Sequence, residues 1–494
     1  MEQTASNQLS QHFSRLDYRA VPEANRKAVK RLLLDYIGVA LAGSQTESGE
    51  IACRFAEMQG GKPENTLIGA NARVPMTHGA FANAISSHSI ELDDIDVLAL
   101  FHFSPPVYSA ALAAAERQQA NGRQLVAALA AGCEMMERVS KAANNSLRNR
   151  AFHTTPTTGV FGATIAAGKL LQLSPAKLSA ALGLAGAQAS GLMEMYGPSM
   201  QKRFNPGPAA RNGVTAALMA QLGFTGAETI FDGERGFLRA FTDKHDVSQL
   251  TQGLDQPYQL DIEHKPYSCA RPIHNAIDCA LEVRKRDNPN LDSIKHIQVA
   301  RHSDWALYHQ NKEPKTYHEG QVSLPYSIAV AFKEGKALLA QYTDRKLKDP
   351  QLRQIMALTD ISIDDSLPRG VSCKMTVTMQ DGSEFVSQVD YPKGSIQNSM
   401  SDEEIRIKFD ALATPVIGAQ RAQQIADLVE NIEKSSDVSE LMRLTSKRNS
   451  AAPAGKKSAP AKKSAPAKKS KPAKKSKPAQ KSRPAKKAGP RGRK

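Results

Sequence analysis

The sequence predicts a mainly α protein, a large all-helical domain joined to a smaller α/β domain. Three observations carry this. Segments rich in Ala and Gly recur with helical apolar spacing up to about residue 240 and again over 401–445. Hydrophobic residues make up 41 % of the chain but aromatics only 5 %, a composition that suits close-packed helices. Clean two-residue alternation is confined to residues between about 265 and 398.

The first strong helix is "VPEANRKAVKRLLLDYIGVALAG". Pro22 stands near its first turn, Val29, Leu32, Leu33, Tyr36, Ile37 and Ala40 form its stripe, and Gly43 is expected to stop it. "TTGVFGATIAAGKLLQL" and "GPAARNGVTAALMAQLGF" carry Gly and Ala at helix-contact spacing, as the buried helices of a bundle do. Ser174 and Pro175 open "SPAKLSAALGLAGAQASGL" as N-cap and first helical residue. "SIKHIQVAR" alternates as a strand. "VSCKMTVTM" puts Val371, Cys373, Met375, Val377 and Met379 on one side, and Asp381-Gly382 turns it into "EFVSQVDY". Ser401 with Glu404 makes a capping box that restarts helix. The expected division is a helical domain from 1–264 and 399–446, an α/β domain over 265–398, and a tail over 447–494.

The formal charge of +16 belongs to that tail: its 19 Lys and Arg leave 46 basic against 49 acidic residues in the body, a net of −3. Prolines at 460, 466, 472, 478, 484 and 490 set a six-residue repeat that forbids helix. The tail reads as disordered and cationic, suited to sequence-independent contact with nucleic acid or another polyanion. Five widely spaced cysteines with no C-x-x-C argue against a disulfide framework, structural zinc or an iron–sulfur cluster. With no membrane-length apolar run and no signal-peptide layout, a soluble cytoplasmic protein is expected.

Chemistry concentrates in a few stretches. "SHSIELDDIDVLALFHFSPP" sets Glu91, Asp93, Asp94 and Asp96 between His88 and His102. Acids at a helix end oppose the helix dipole, so local stability is a poor reason for them. They form either a solvated turn or a pocket floor, and the apolar "VLALF" that follows favours the floor. His153 precedes a Gly-rich helix, where the dipole favours a neutral proton carrier; a capping or packing role is the alternative. Lys202 and Arg203 lead into a helix from a Gly/Pro-flanked loop, either an anion site or a surface pair. Lys265, Tyr267, Arg271 and His274 fall at the domain boundary, a common place for a cleft. Tyr326 opens an apolar helix, as a site phenol or a core residue. "GATIAAGKL" misses the Walker A spacing, and no G-x-G-x-x-G follows a strand, which argues against nucleotide chemistry.

Together, "LLLDYIGVALAG", "HGAFANAISSHSIELDD", "FHTTPTTGVFGA", "LSAALGLAGAQASGL", "KRFNPGPAARNGVTAALMAQLGFTG" and "SLPYSIAVA" resemble the MmgE/PrpD family over about residues 15–440. The resemblance implies a helical domain built from both chain ends and capped by an α/β lid, with the active site between them. It also implies a homodimer that acts on short di- or tricarboxylates without metal or organic cofactor. Motif by motif, it places active-site roles on Asp93, Asp94, His102, His153, Lys202, Lys265 and Tyr326. Such chemistry needs cations for carboxylates, here Lys202 and Lys265 with Arg203 and Arg271 in reserve. It also needs proton carriers, here His102, His153 and Tyr326, with the acids orienting them. The chain departs from the family pattern at Ile95 for Thr, Gln201 for Thr, Asn205 for His and Ser268 for Pro. The expected function is a cofactor-independent lyase, first a dehydratase of 2-methylcitrate type. The alternatives are an epimerase or decarboxylase of a related polycarboxylate (iminodisuccinate, cis-aconitate), or a nucleic-acid-associated scaffold working through the tail.

Overall fold

Helices form where apolar spacing coincides with a cap. The computed structural model describes residues 3–97, 101–195 and 199–447, without the side chain of Asn144; the expected polyanion-binding tail, from 448 on, lies outside them. The helices that matter for the site are α1 (Glu23–Gly43), α2 (Met76–Ser87), α3 (Ser104–Gln118), α4 (Gly122–Asn149), α5 (Thr154–Leu170), α6 (Pro175–Gly186) and α7 (Pro206–Gln221). Ser174 caps α6 by accepting from Lys177 N at 3.4 Å. Almost every residue of α5 is buried, because it runs between α4, α3 and α7. Gly162 allows this: a Cβ there would stand 2.6 Å from the Gly132 carbonyl oxygen of α4.

Gly43 does not stop α1 as expected. It is the last helical residue, with Ser44 as the cap. A Cβ on it would meet Ser86 O of α2 at 1.8 Å, so close helix approach explains the glycine.

The smaller part contains α8 (His274–Asp287), β1 (Ile294–Arg301), α9 (Leu324–Glu334), β2 (Thr359–Ile363), β3 (Cys373–Met379) and β4 (Glu384–Val389). The sheet order is β2-β1-β3-β4, with β1 parallel to β2 and antiparallel to β3. Val299 faces Ile361 on one side and Met375 on the other. Cys373, Met375, Val377 and Met379 are buried as the alternation predicts, packed with Ile277 and Val283 of α8 and Ile328 and Phe332 of α9 in a second core. The β3–β4 turn has Gly382 at φ 86, with Ser383 N donating to Asp381 Oδ1 at 2.9 Å.

The chain then returns to the first core through α10 (Asp402–Ile417) and α11 (Ala419–Glu430). Ser401 and Glu404 form the expected capping box, with bonds of 2.6 and 3.1 Å. Phe409 of α10 lies against Gly38 of α1, and the first core joins Leu9 and Val29 to Ile425 and Met442. Among the described residues, no helix is long and apolar enough to cross a membrane.

Candidate active site

The acids after α2 are floor, not surface. Glu91, Asp93, Asp94 and Asp96 are each at most 1 % exposed. Burial of four carboxylates is costly unless each is satisfied, and three of them hold different partners. Asp94 accepts from Phe103 N (2.6 Å) and Ser104 N (3.1 Å), which fixes the start of α3. Burial and the neighbouring Asp93 push its pKa up to about 6.

Asp93 faces two imidazoles. Its Oδ2 lies 2.7 Å from His88 Nδ1 and 3.0 Å from His102 Nδ1. Burial alone would raise its pKa, but the two rings more than offset this and hold it well below the usual carboxylate range. Burial lowers His88 to about 4. His102 Nδ1 also lies 2.5 Å from Asp94 O, so only acceptors surround that nitrogen. The proton is assigned there, which leaves Nε2 unprotonated for the cleft.

Glu91 gathers cations from two parts of the chain. It sits in a left-handed turn, φ 56, a conformation uncommon outside glycine. Its carboxylate pairs with Lys202 and Arg203, both on the short helix Gln201–Phe204, and with Lys265 at 3.4 Å. Arg203 also donates to Gln321 Oε1 at 2.8 Å. Burial works to protonate Glu91, but the three cations hold its carboxyl well below its usual range. Burial brings Lys202 down to about 8, against the pull of Glu91. Three cations on one carboxylate leave a positive surplus.

His153 stands at the N-cap position of α5 and is wired the opposite way to His102. Its Nδ1 lies 3.0 Å from Asn205 Nδ2, which can only donate. With the amide so oriented, the ring proton sits on Nε2. Burial, reinforced by His88 and His102, keeps this imidazole neutral. Asn205, one of the departures from the family pattern, is thus a partner of His153.

These groups meet in a cleft with about 570 Å³ of empty space out to its mouth. His102, His153, Lys202, Lys265 and Arg271 all line it. Arg203 stands behind Lys202 on Glu91, and Asp93 behind His102. Arg271 is largely committed elsewhere, to Glu263 at 2.9 Å and Lys393 O at 2.8 Å. Tyr326 stands in the smaller part of the fold. It does not line this cleft; it is fully buried in the second core and donates to Gln341 O at 2.6 Å. An apolar helix start carried it inward. Asp94 likewise serves as a helix cap rather than a group open to the cleft. Sequence reading missed the cation-gathering role of Glu91, and missed Arg148, Trp305 and His309 on the cleft wall. For Glu91 the signal was present in the acid run; for the other three, no local pattern marks them.

One trio among the described residues has metal-ligand geometry: His88, Asp93 and His102 offer atoms within 4.8 Å of one another. Their mutual hydrogen bonds already account for that closeness.

Comparison with known proteins decides the family. The MmgE/PrpD N-terminal domain matches residues 7–250 and the MmgE/PrpD C-terminal domain residues 267–434. The chain belongs to the MmgE/PrpD family. It is 31 % identical over 457 residues to a cis-aconitate decarboxylase-like protein of Aspergillus oryzae, covering 86 % of this chain and 94 % of that one. It is 28 % identical over 433 residues to the cis-aconitate decarboxylase of Homo sapiens, covering 84 % and 89 %. Against the cis-aconitate decarboxylase of Aspergillus terreus it is 27 % identical over 455 residues, covering 86 % and 92 %. In this MmgE/PrpD protein, Ile95 lines the cleft, Gln201 is exposed, and Ser268 Oγ donates to Ile90 O at 2.6 Å, bracing the floor.

Proposed function

We propose that this MmgE/PrpD protein is a carboxy-lyase that removes CO2 from a small unsaturated tricarboxylate of the cis-aconitate kind. The observation that carries the reading is the convergence of Lys202, Arg203 and Lys265 on Glu91 beside an Asp93-backed His102. The relatives named above favour this reaction over the dehydration first expected, since their names specify decarboxylation.

The geometry supports a division of labour. The cations hold carboxylates of the substrate through charge-assisted hydrogen bonds, stronger in a closed cleft than in water. The bond from the carbon skeleton to one carboxylate breaks and CO2 leaves. Its electron pair passes into the adjacent unsaturated acid, giving an enolate-like anion. His153, neutral and with its proton on Nε2, donates to the oxygen where that charge develops. His102, with Nδ1–H facing the Asp93 carboxylate, takes up a proton from solvent on Nε2 and delivers it to the carbanion carbon. The residues require no organic cofactor for these steps. The α/β part acts as a lid that brings Lys265 and Arg271 to the helical part.

The test is NMR of the full chain with cis-aconitate, 2-methylcitrate and iminodisuccinate in separate tubes. Release of CO2 with a new alkene signal from cis-aconitate is expected. Water loss from 2-methylcitrate, or C–H exchange in iminodisuccinate, with cis-aconitate untouched would overturn the reading.

A further inference from the structure

Four cations line the cleft, Lys202, Lys265, Arg271 and Arg148, and three of them share a carboxylate with the protein. Arg148 differs. Among the described residues it has no carboxylate partner, and it is only partly buried. A cation in the last turn of α4 suits the helix dipole, which would account for a charge at this position but not for its place on the cleft wall.

The corner that carries Arg148 is held on several sides. Ala151 takes φ 64, a strained value for a residue with a Cβ. Ala151 N donates to Arg148 O at 2.9 Å, and Met193 N donates to Ala151 O at 2.9 Å. Phe152 bridges to Leu192, and His153 N donates to Gly191 O at 3.1 Å. One pinned turn therefore sets both Arg148 and His153, five residues apart, on the same cavity. The charge of Arg148 is felt at His153.

We propose that Arg148 receives the substrate carboxylate remote from Lys202 and Lys265, so that the cleft selects tricarboxylates over dicarboxylates. This rests on the reading of the site as a polycarboxylate site. The guanidinium offers a planar fork that matches a carboxylate with two parallel hydrogen bonds. Because no protein carboxylate must first be displaced, its full charge is available to the ligand. Lys202 and Lys265, gathered with Arg203 on Glu91, then bind the end of the molecule that reacts. Trp305 and His309 also stand on the cleft wall.

The experiment is calorimetric titration of the full chain with two inert probes, tricarballylate with three carboxylates and glutarate with two. The wild type is expected to bind tricarballylate more tightly. Arg148→Gln should weaken tricarballylate about 10- to 100-fold and leave glutarate within about twofold. Arg148→Lys, which keeps the charge but loses the fork, should fall between. Lys202→Ala should weaken both probes. Equal weakening of both by Arg148→Gln, or no weakening of either, overturns the role of Arg148 and leaves the polycarboxylate reading standing. Failure of the wild type to bind either probe overturns both.

Discussion

The carboxylate of Asp93 stands 3.0 Å from His102 Nδ1, and the other polar neighbour of that nitrogen is the Asp94 carbonyl at 2.5 Å. A ring nitrogen between two acceptors must carry the proton. Asp93→Asn removes one acceptor and offers an NH2 in its place, which favours the wrong tautomer. We expect kcat to fall at least about 10²-fold, by the logic of catalytic Asp–His pairs. Unchanged circular dichroism with unchanged kcat would remove His102 from the proton-carrier role.

Asn205 sets His153 from the opposite direction, its Nδ2 3.0 Å from Nδ1. Asn205→Asp puts an acceptor there and draws the ring proton away from Nε2. Asn205→Ala merely deletes the bond. The Asp variant is expected to lose about tenfold more kcat than the Ala variant. Equal kinetics in the two would show that the His153 tautomer is irrelevant.

Lys202, lowered to about 8 by burial, sets an alkaline limb. Its ammonium is needed below that pH and lost above it, so kcat/KM should drop about tenfold per unit above about pH 8. Stability moves the other way. The unfolded chain keeps this proton up to about 10.4, so between about 8 and 10.4 the unfolded state binds more protons and the fold gains with rising pH. Activity lost at pH 9 without loss of melting temperature would match this. Lys202→Arg should push the limb beyond about pH 10. An activity profile flat to pH 10 in the wild type contradicts the assignment.

Tyr326 lies outside the cleft with its hydroxyl on Gln341 O. Tyr326→Phe should leave kcat within about twofold and cost about 1–3 kcal/mol of stability, because a buried carbonyl loses its partner. A large kcat loss without a stability loss would return the phenol to the chemistry.

Much of the fold was legible in the sequence because it depends on neighbours a few residues apart. The stripe of α1, the capping box at Ser401 and Glu404, and the alternation of Cys373, Met375 and Val377 are each decided within one or two turns of chain. The acid run beside His102 was legible for the same reason: the apolar residues after it announced burial. The family motifs also pointed to Lys202, Lys265 and His153.

Tertiary structure decided which partner each group meets. Lys202 and Lys265 reach Glu91 from 111 and 174 residues away. Arg148 and Trp305 join them on one wall though no local pattern marks either. Tyr326, at an apolar helix start, lies in the second core with its ring against Tyr342 and its hydroxyl on Gln341 O. Local spacing determines which residues form helix, strand and cap. Long-range closure determines which charges are buried together, and burial is what turns those charges into a site.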